Sequence, residues 1–130
     1  MSAEEHERRK FVRIFFPADE KVMSTVVFPN ENNKSISANV MNLSEEGVCL
    51  VLLRQSPGDN NALKIYKGDR LLLNDIVGIT PEIKIARQEL QVKWVIDNLY
   101  FNHMEIGCHM MNVPDSVRSR IRQVISSREK

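Results

Sequence analysis

Short apolar segments separated by turn residues run through most of this 130-residue chain, and this pattern constrains its fold more than any other feature. Residues 22–28, VMSTVVF, are rich in β-branched residues and stop at Pro29 and Asn30. Apolar residues also stand at every second position from Leu90 to Ile96. Alternation over such short segments indicates half-buried β-strands rather than helices.

Two further segments predict a β-hairpin in the first half of the chain. Ile36, Ala38 and Val40 alternate with other side chains, which predicts a half-buried strand. Residues 48–53, VCLVLL, are apolar on both faces and fit a central strand. The polar residues 42–47 between them predict the turn of the hairpin.

Turn residues also mark the boundaries of the remaining predicted strands. Gly68 and Asp69 precede a strand that begins at residues 71–73, and a turn at residues 97–98 leads into a last strand over 100–111. About six short strands joined by turns predict an all-β fold, a small antiparallel barrel or sandwich.

The C-terminal segment changes to a helical period. Pro114 and Asp115 suit the first turn of a helix, and the sequence predicts a helix over 114–128. Its apolar residues form a single stripe and are Val117, Ile121, Val124 and Ile125. We expect this stripe to pack either on the mouth of the barrel or on a second subunit, so a homodimer is possible.

The N-terminal segment concentrates positive charge. Residues 7–13, ERRKFVR, hold four cationic side chains, whereas the whole chain has 18 Lys and Arg against 17 Asp and Glu, for a net charge of +1. A balance so close to neutral argues against a general nucleic-acid binder. Clustered arginines indicate a local anion site instead. We expect residues 1–14 to form a flexible basic arm and residues 15–130 to form the barrel domain with its helix.

Several classes of site are disfavoured by what the sequence lacks. The N-terminus has no apolar signal-peptide core, and the longest apolar run, residues 48–53, is too short to span a bilayer. The sequence therefore predicts a cytoplasmic protein without membrane insertion.

Cys49 and Cys108 are expected to be buried thiols rather than a disulfide. His103 and His109 do not share a metal-site spacing with Cys108, and no arrangement typical of catalysis is evident, so we expect no metal and no enzyme.

The turn of the predicted hairpin, Asn42-Leu43-Ser44-Glu45-Glu46-Gly47, has a simple structural explanation. Asn and Ser side chains bond nearby backbone, and glycine supplies a positive φ. Upstream, however, Arg9 and Arg13 are separated by three residues. An RxxxR segment followed by NxSxxG at a strand-turn-strand resembles the PilZ domain family.

The resemblance covers about residues 8–126. Residues 67–71, KGDRL, look like the family's entry to a middle strand, and residues 92–94 and 106–110 look like its last two long strands. Some positions depart from the family pattern. Asn42 stands where many members have Asp, Met110 stands where an aromatic is common, and residues 56–67 and 77–88 follow no family pattern.

The resemblance implies a six-stranded antiparallel barrel that binds cyclic di-GMP, a bacterial second messenger, as its ligand and needs no cofactor. This ligand carries two phosphodiesters and two guanines. Arginine pairs bidentately with a phosphate or with guanine O6 and N7, so Arg9 and Arg13 are implied to grip the ligand from the arm. Arginine at position 8 resembles members that take a stacked ligand dimer, although Arg8 is equally explained as a solvated basic residue.

The same resemblance assigns the hairpin residues. Asn42 and Ser44 are implied to accept hydrogen bonds from the guanine N1 and N2 donors, and Gly47 to leave room for close approach. The implied function is a sensor or adaptor that signals to a protein partner in motility, biofilm or secretion control.

Two other classes remain at this stage. One is a PilZ-like adaptor that binds no nucleotide and acts only through protein contacts, which the presence of the arginines and of NxSxxG disfavours. The other is a nucleic-acid-binding barrel in which the N-terminal arginines and a second cluster, Arg118, Arg120, Arg122 and Arg128, hold phosphates. Near-zero net charge disfavours it, as does a scarcity of exposed aromatic residues, because Trp94 and Phe101 are expected to be buried or half-buried.

Overall fold

The computed structural model describes residues 12–53, 64–79, 82–98 and 103–128. These residues form seven β-strands and one α-helix. The strands are β1 (Ile14–Phe15), β2 (Met23–Phe28), β3 (Lys34–Leu43), β4 (Gly47–Leu53), β5 (Arg70–Val77), β6 (Gln88–Asn98) and β7 (His103–Met110), and the helix is α1 (Asp115–Arg128).

Six of the strands close into an antiparallel barrel in the order β3-β2-β5-β6-β7-β4, with β4 pairing back to β3. This confirms the predicted six-stranded barrel. The seventh strand, β1, lies outside the barrel and pairs with the end of β3 that β2 leaves free. Closure gives every barrel strand a partner on both sides, so the hairpin of β3 and β4 is held on a rigid frame.

The core follows the alternation seen in the sequence. In β7, Met104, Ile106, Cys108 and Met110 face the interior, and in β4 the interior residues are Val48, Leu50 and Leu52. The intervening residues therefore lie on the outer face of the barrel. Among the described residues, no helix has the length and apolar composition needed to cross a membrane.

In the described part of the chain, register shifts interrupt the pairing of three strand pairs, and two of these β-bulges lie in the β3–β4 and β6–β7 pairs. The register of β3 against β4 shifts between Val40 and Asn42, and that of β6 against β7 shifts between Val92 and Trp94. Each bulge inserts one extra residue and re-aims the side chains that follow it. As a result Asn42 stands opposite Cys49, and Trp94 stands opposite Gly107.

Helix α1 packs on its own barrel, which was one of the two expected outcomes. Its apolar stripe of Val117, Ile121, Val124 and Ile125 is buried and continuous with the barrel core. The helix begins one residue after Pro114, close to the predicted boundary. Burial of this stripe fixes which side of α1 faces the hairpin.

Candidate functional site

Strand β1 brings the predicted arm against the motif hairpin. Ile14 pairs with Leu43 and Phe15 pairs with Asn42 in an antiparallel ladder. Since Arg13 precedes Ile14 and Ser44 follows Leu43, Arg13 and Ser44 lie at the same end of this ladder. Arg8 and Arg9 lie outside the described residues, so of the three predicted arm residues only Arg13 can be located.

The turn itself is closed by backbone hydrogen bonds. The Ser44 N–H donates to the Gly47 carbonyl oxygen at 2.8 Å, and the Met110 N–H donates to the Glu46 carbonyl oxygen at 2.8 Å. The Ser44 hydroxyl makes only long contacts, accepting from the Glu46 N–H at 3.4 Å and donating to the Gly47 oxygen at 3.5 Å. Hydrogen bonds of that length are weak, so this hydroxyl keeps the capacity to bond a ligand.

Gly47 is not explained by the turn conformation. Its φ lies outside the left-handed region, which only Gly68 and Gly78 among the described glycines adopt. The positive-φ explanation of this glycine is therefore wrong. A Cβ built on Gly47 would lie 3.4 Å from Ser44 Oγ and 3.5 Å from the Cys108 oxygen, which are ordinary contacts. An alanine would therefore fit at position 47 without displacing these neighbours.

Five residues form a straight row across the outer face of five adjacent strands. Successive register pairs link them in the order Phe15, Asn42, Cys49, Gly107 and Trp94, and we call them the outer row. Neighbouring strands lie about 4.8 Å apart, so the row spans about 19 Å. The two smallest members, Cys49 and Gly107, lie between Asn42 and Trp94. An exposed aromatic residue therefore stands at each end of the outer row, and the three residues between them are buried.

Trp94 is an exposed member of this row, contrary to the expectation that it is buried or half-buried. Its side chain is 40 % exposed because the bulge in β6 directs it outward. The indole ring lies over Gly107, where an added Cβ would overlap it. Phe15 and Tyr66 are also exposed, so the expected scarcity of exposed aromatic residues is wrong. Phe101 lies outside the described residues.

Asn42 occupies the row between Phe15 and Cys49. It is only 8 % exposed, because β1 and β4 flank it on both sides. Its amide can therefore meet a ligand only along the edge that remains exposed.

Cys49 lies between Asn42 and Gly107 in the outer row and is a free, buried thiol, as is Cys108 in the core, which confirms the expectation of buried thiols. Burial, and then the Glu105 carboxylate, raise the pKa of Cys49 from 9.0 to about 11, while the nearby Arg13 guanidinium acts in the opposite direction. Burial, and then Cys49, raise the pKa of Cys108 to about 12. Both thiols are protonated at neutral pH and are poor nucleophiles.

Glu45 and Glu46, two of the three variable positions of NxSxxG, form ion pairs with helix α1. Arg118 Nη2 lies 2.9 Å from Glu46 Oε1, and Arg122 Nε lies 2.8 Å from Glu45 Oε1. Arg118 Nη1 lies 3.9 Å from Glu45 Oε1 as well. The sequence analysis missed these contacts, because charge alone does not say which arginines the fold brings to the turn.

The last turn of α1 reaches the segment that follows β1. Arg128 forms an ion pair with Glu20, and its guanidinium carbon lies 4.8 Å from the centroid of the Phe16 ring. The helix therefore contacts both the motif turn and the chain that leads out of the arm. Three of the four C-terminal arginines are engaged by carboxylates of the same chain.

Comparison with known proteins gives structural neighbours but no sequence match. No protein-family model matches the chain, and no curated protein matches it. Among solved structures, the inhibitor of motility MotI/DgrA of Bacillus subtilis has a TM-score of 0.67 at 19 % identity, over 94 % of this chain. This chain spans about half of that protein (51 %).

Other neighbours were solved with a nucleotide bound. The PilZ domain of YcgR from Escherichia coli, with c-di-GMP, has a TM-score of 0.62 at 15 % identity over 94 % of this chain and 92 % of that one. The MrkH–c-di-GMP complex of K. pneumonia has a TM-score of 0.55 at 17 % identity, over 95 % of this chain and 56 % of that one. The order of strands, the closing hairpin and these likenesses together show that this chain has a PilZ-type fold.

Proposed function

We propose that this chain binds cyclic di-GMP on the outer face of its barrel, between the arginines of the N-terminal segment and the NxSxxG hairpin. The observation that carries this proposal is the antiparallel pairing of β1 with the motif strand. It puts Arg13 and Ser44 at one end of a ladder, where one ligand can reach both.

The charges of the ligand fit the arginines. Arg9 and Arg13 contact a phosphodiester or the O6 and N7 edge of a guanine, for which the guanidinium fork is well suited. Arg13 precedes β1, and Phe15 of β1 belongs to the outer row, so the Arg13 backbone lies beside that row. Arg8 adds a third guanidinium where two stacked ligands are bound, and a stoichiometry of two would identify that role.

The bases of the ligand fit the outer row. The exposed aromatic residue Trp94 offers a surface on which a base can stack. Asn42 and Ser44 supply the oxygens that accept from guanine N1 and N2. Gly47, which has no side chain, lets the ligand approach these two residues closely.

The proposed output is a protein contact rather than a chemical reaction. A change in the order of the residues that precede β1 on ligand binding would change the surface that the barrel offers to a protein partner, in motility, biofilm or secretion control. NMR order parameters of the arm amides with and without ligand test this step. Equal order parameters in the two states would rule it out.

Ligand choice tests the proposed site directly. Cyclic di-AMP has the same phosphodiester ring as cyclic di-GMP but lacks the guanine O6 acceptor and N1 donor. Calorimetric titration of both should give binding near micromolar for cyclic di-GMP and at least about tenfold weaker binding for cyclic di-AMP, a difference of about 1.4 kcal/mol. If neither nucleotide binds, the alternative is favoured, which is an adaptor that acts only by protein contacts.

A further inference from the structure

Glu45 and Glu46 stand between Ser44 and Gly47, two residues that the proposed site uses, yet their carboxylates turn toward helix α1. Arg118 reaches Glu46 at 2.9 Å, and Arg122 reaches Glu45 at 2.8 Å. The side chains of Glu45 and Arg118 are 13 % and 22 % exposed, and those of Glu46 and Arg122 are 40 % and 63 % exposed. Since each short ion pair has one largely buried partner, salt screens it less than a fully exposed pair.

The turn needs such a restraint, because its own side-chain hydrogen bonds are long. Ser44 Oγ lies 3.4 Å from the Glu46 nitrogen and 3.5 Å from the Gly47 oxygen. On one side the backbone is held by the Met110 N–H bond to the Glu46 oxygen. On the other side the contacts to α1 hold the two glutamate side chains.

We propose that Arg118 and Arg122 are positioning residues of the nucleotide site: through Glu45 and Glu46 they hold the turn 44–47 in the geometry that the ligand requires. This inference rests on the proposed function and adds residues that act on the ligand through the turn without touching it. Helix α1 suits the role because its apolar stripe is anchored in the barrel core.

Replacement of Arg118 by alanine is the first test. We expect cyclic di-GMP to bind Arg118→Ala at least about tenfold more weakly than wild type, or about 1.4 kcal/mol. Arg120→Ala is the matched control, because Arg120 lies on the same helix and donates to Gln123 of that helix at 3.4 Å. Circular dichroism and thermal unfolding of both variants check that the barrel stays folded. Equal affinities of the two variants would overturn the proposal.

A variant without the Glu45 and Glu46 carboxylates distinguishes a positioning role of these ion pairs from a purely electrostatic effect on the ligand. If only charge mattered, Glu45→Ala/Glu46→Ala would bind a dianionic ligand more tightly, because two negative charges are gone. Positioning predicts weaker binding, by at least the factor seen in Arg118→Ala, because the Arg122–Glu45 pair is lost as well. It also predicts little further loss when Arg118→Ala is added to the glutamate variant, since the two carboxylates that pair with Arg118 at the turn are already gone. Tighter or unchanged binding by the glutamate variant would contradict it.

Hydrogen exchange provides a readout that needs no ligand. The amides of Ser44 and Met110 close and anchor the turn, so Arg118→Ala should speed their exchange while Arg120→Ala should not. Unchanged exchange of both amides in Arg118→Ala would refute the restraint. If wild type fails to bind cyclic di-GMP, the proposed function fails, and the exchange rates still decide whether the helix holds the turn.

Discussion

At the scale of single residues, substitution of Gly47 can show whether glycine is required there by the fold or by ligand binding. Its φ is ordinary and a Cβ would make ordinary contacts, so Gly47→Ala should change the free energy of unfolding by no more than about 1 kcal/mol. The added methyl group projects where we place the ligand, so binding of cyclic di-GMP should weaken severalfold. Urea unfolding and calorimetry measure the two effects. Intact binding combined with a large loss of stability would show that the glycine is needed only by the fold.

Gly107 is the opposite case, because the Trp94 indole fills the space that a side chain at position 107 would take. Gly107→Ala should force the ring away from the sheet, and overpacking of this kind costs about 1–3 kcal/mol. The chain has a single tryptophan, so its fluorescence reports this movement without interference. We expect a red-shifted emission maximum. An emission spectrum identical to that of wild type would mean that the ring does not rest on Gly107.

The buried thiols predict a dependence of stability on alkaline pH. The pKa of Cys49 is raised from 9.0 to about 11 and that of Cys108 to about 12, so the folded state retains protons that the unfolded state loses. Their contribution to stability is fully present below pH 9 and is lost as the pH rises through the folded values. Urea unfolding between pH 8 and about 11 should show this decline. Cys49→Ala/Cys108→Ala should show a shallower one, and an equal slope in both proteins would contradict the assignment.

The sequence predicts site residues that belong to one local motif. It does not predict contacts or exposure that depend on residues distant in the chain. Asn42, Ser44 and Gly47 lie in the same hairpin, so the sequence alone brings them together. The exposure of Trp94 depends on a bulge, which shifts the alternation by one position and cannot be placed from a single sequence. The partners of Glu45 and Glu46 lie more than seventy positions away on α1.

At the scale of elements, the strands were found wherever one face is buried and the other is exposed. The strand predicted over 22–28 is observed at Met23–Phe28, and the predicted helix differs from α1 by one residue. Strand β1 was missed because two residues are too short for any periodicity. It is nevertheless the element that joins Arg13 to the motif hairpin.

Helix α1 should be an integral part of the barrel rather than an appendage. Ile121 is fully buried against the core, so Ile121→Ala should lower the free energy of unfolding by about 2–5 kcal/mol. Ser119→Ala on the exposed side of the same helix is the control, with an expected change within about 0.5 kcal/mol. Both values come from urea unfolding followed by circular dichroism. Equal stabilities would mean that the helix is not docked in solution.

At the scale of the whole molecule, the distribution of charge favours one anion site over two. The net charge is only +1, and the C-terminal arginines Arg118, Arg122 and Arg128 pair with glutamates of the same chain. They are therefore not available as a second set of phosphate contacts, which weakens the hypothesis of a nucleic-acid-binding barrel. The arginines of the N-terminal segment then account for the proposed anion site.

The most direct test of the central claim is calorimetric titration of cyclic di-GMP into wild type and into Arg9→Ala/Arg13→Ala. The account predicts binding near micromolar for wild type, about −8 kcal/mol, and its loss in the double variant. The stoichiometry would show whether one or two ligands are bound and so define the role of Arg8. Absence of binding to wild type at about 100 μM ligand, a limit of about −5.5 kcal/mol, would contradict the account.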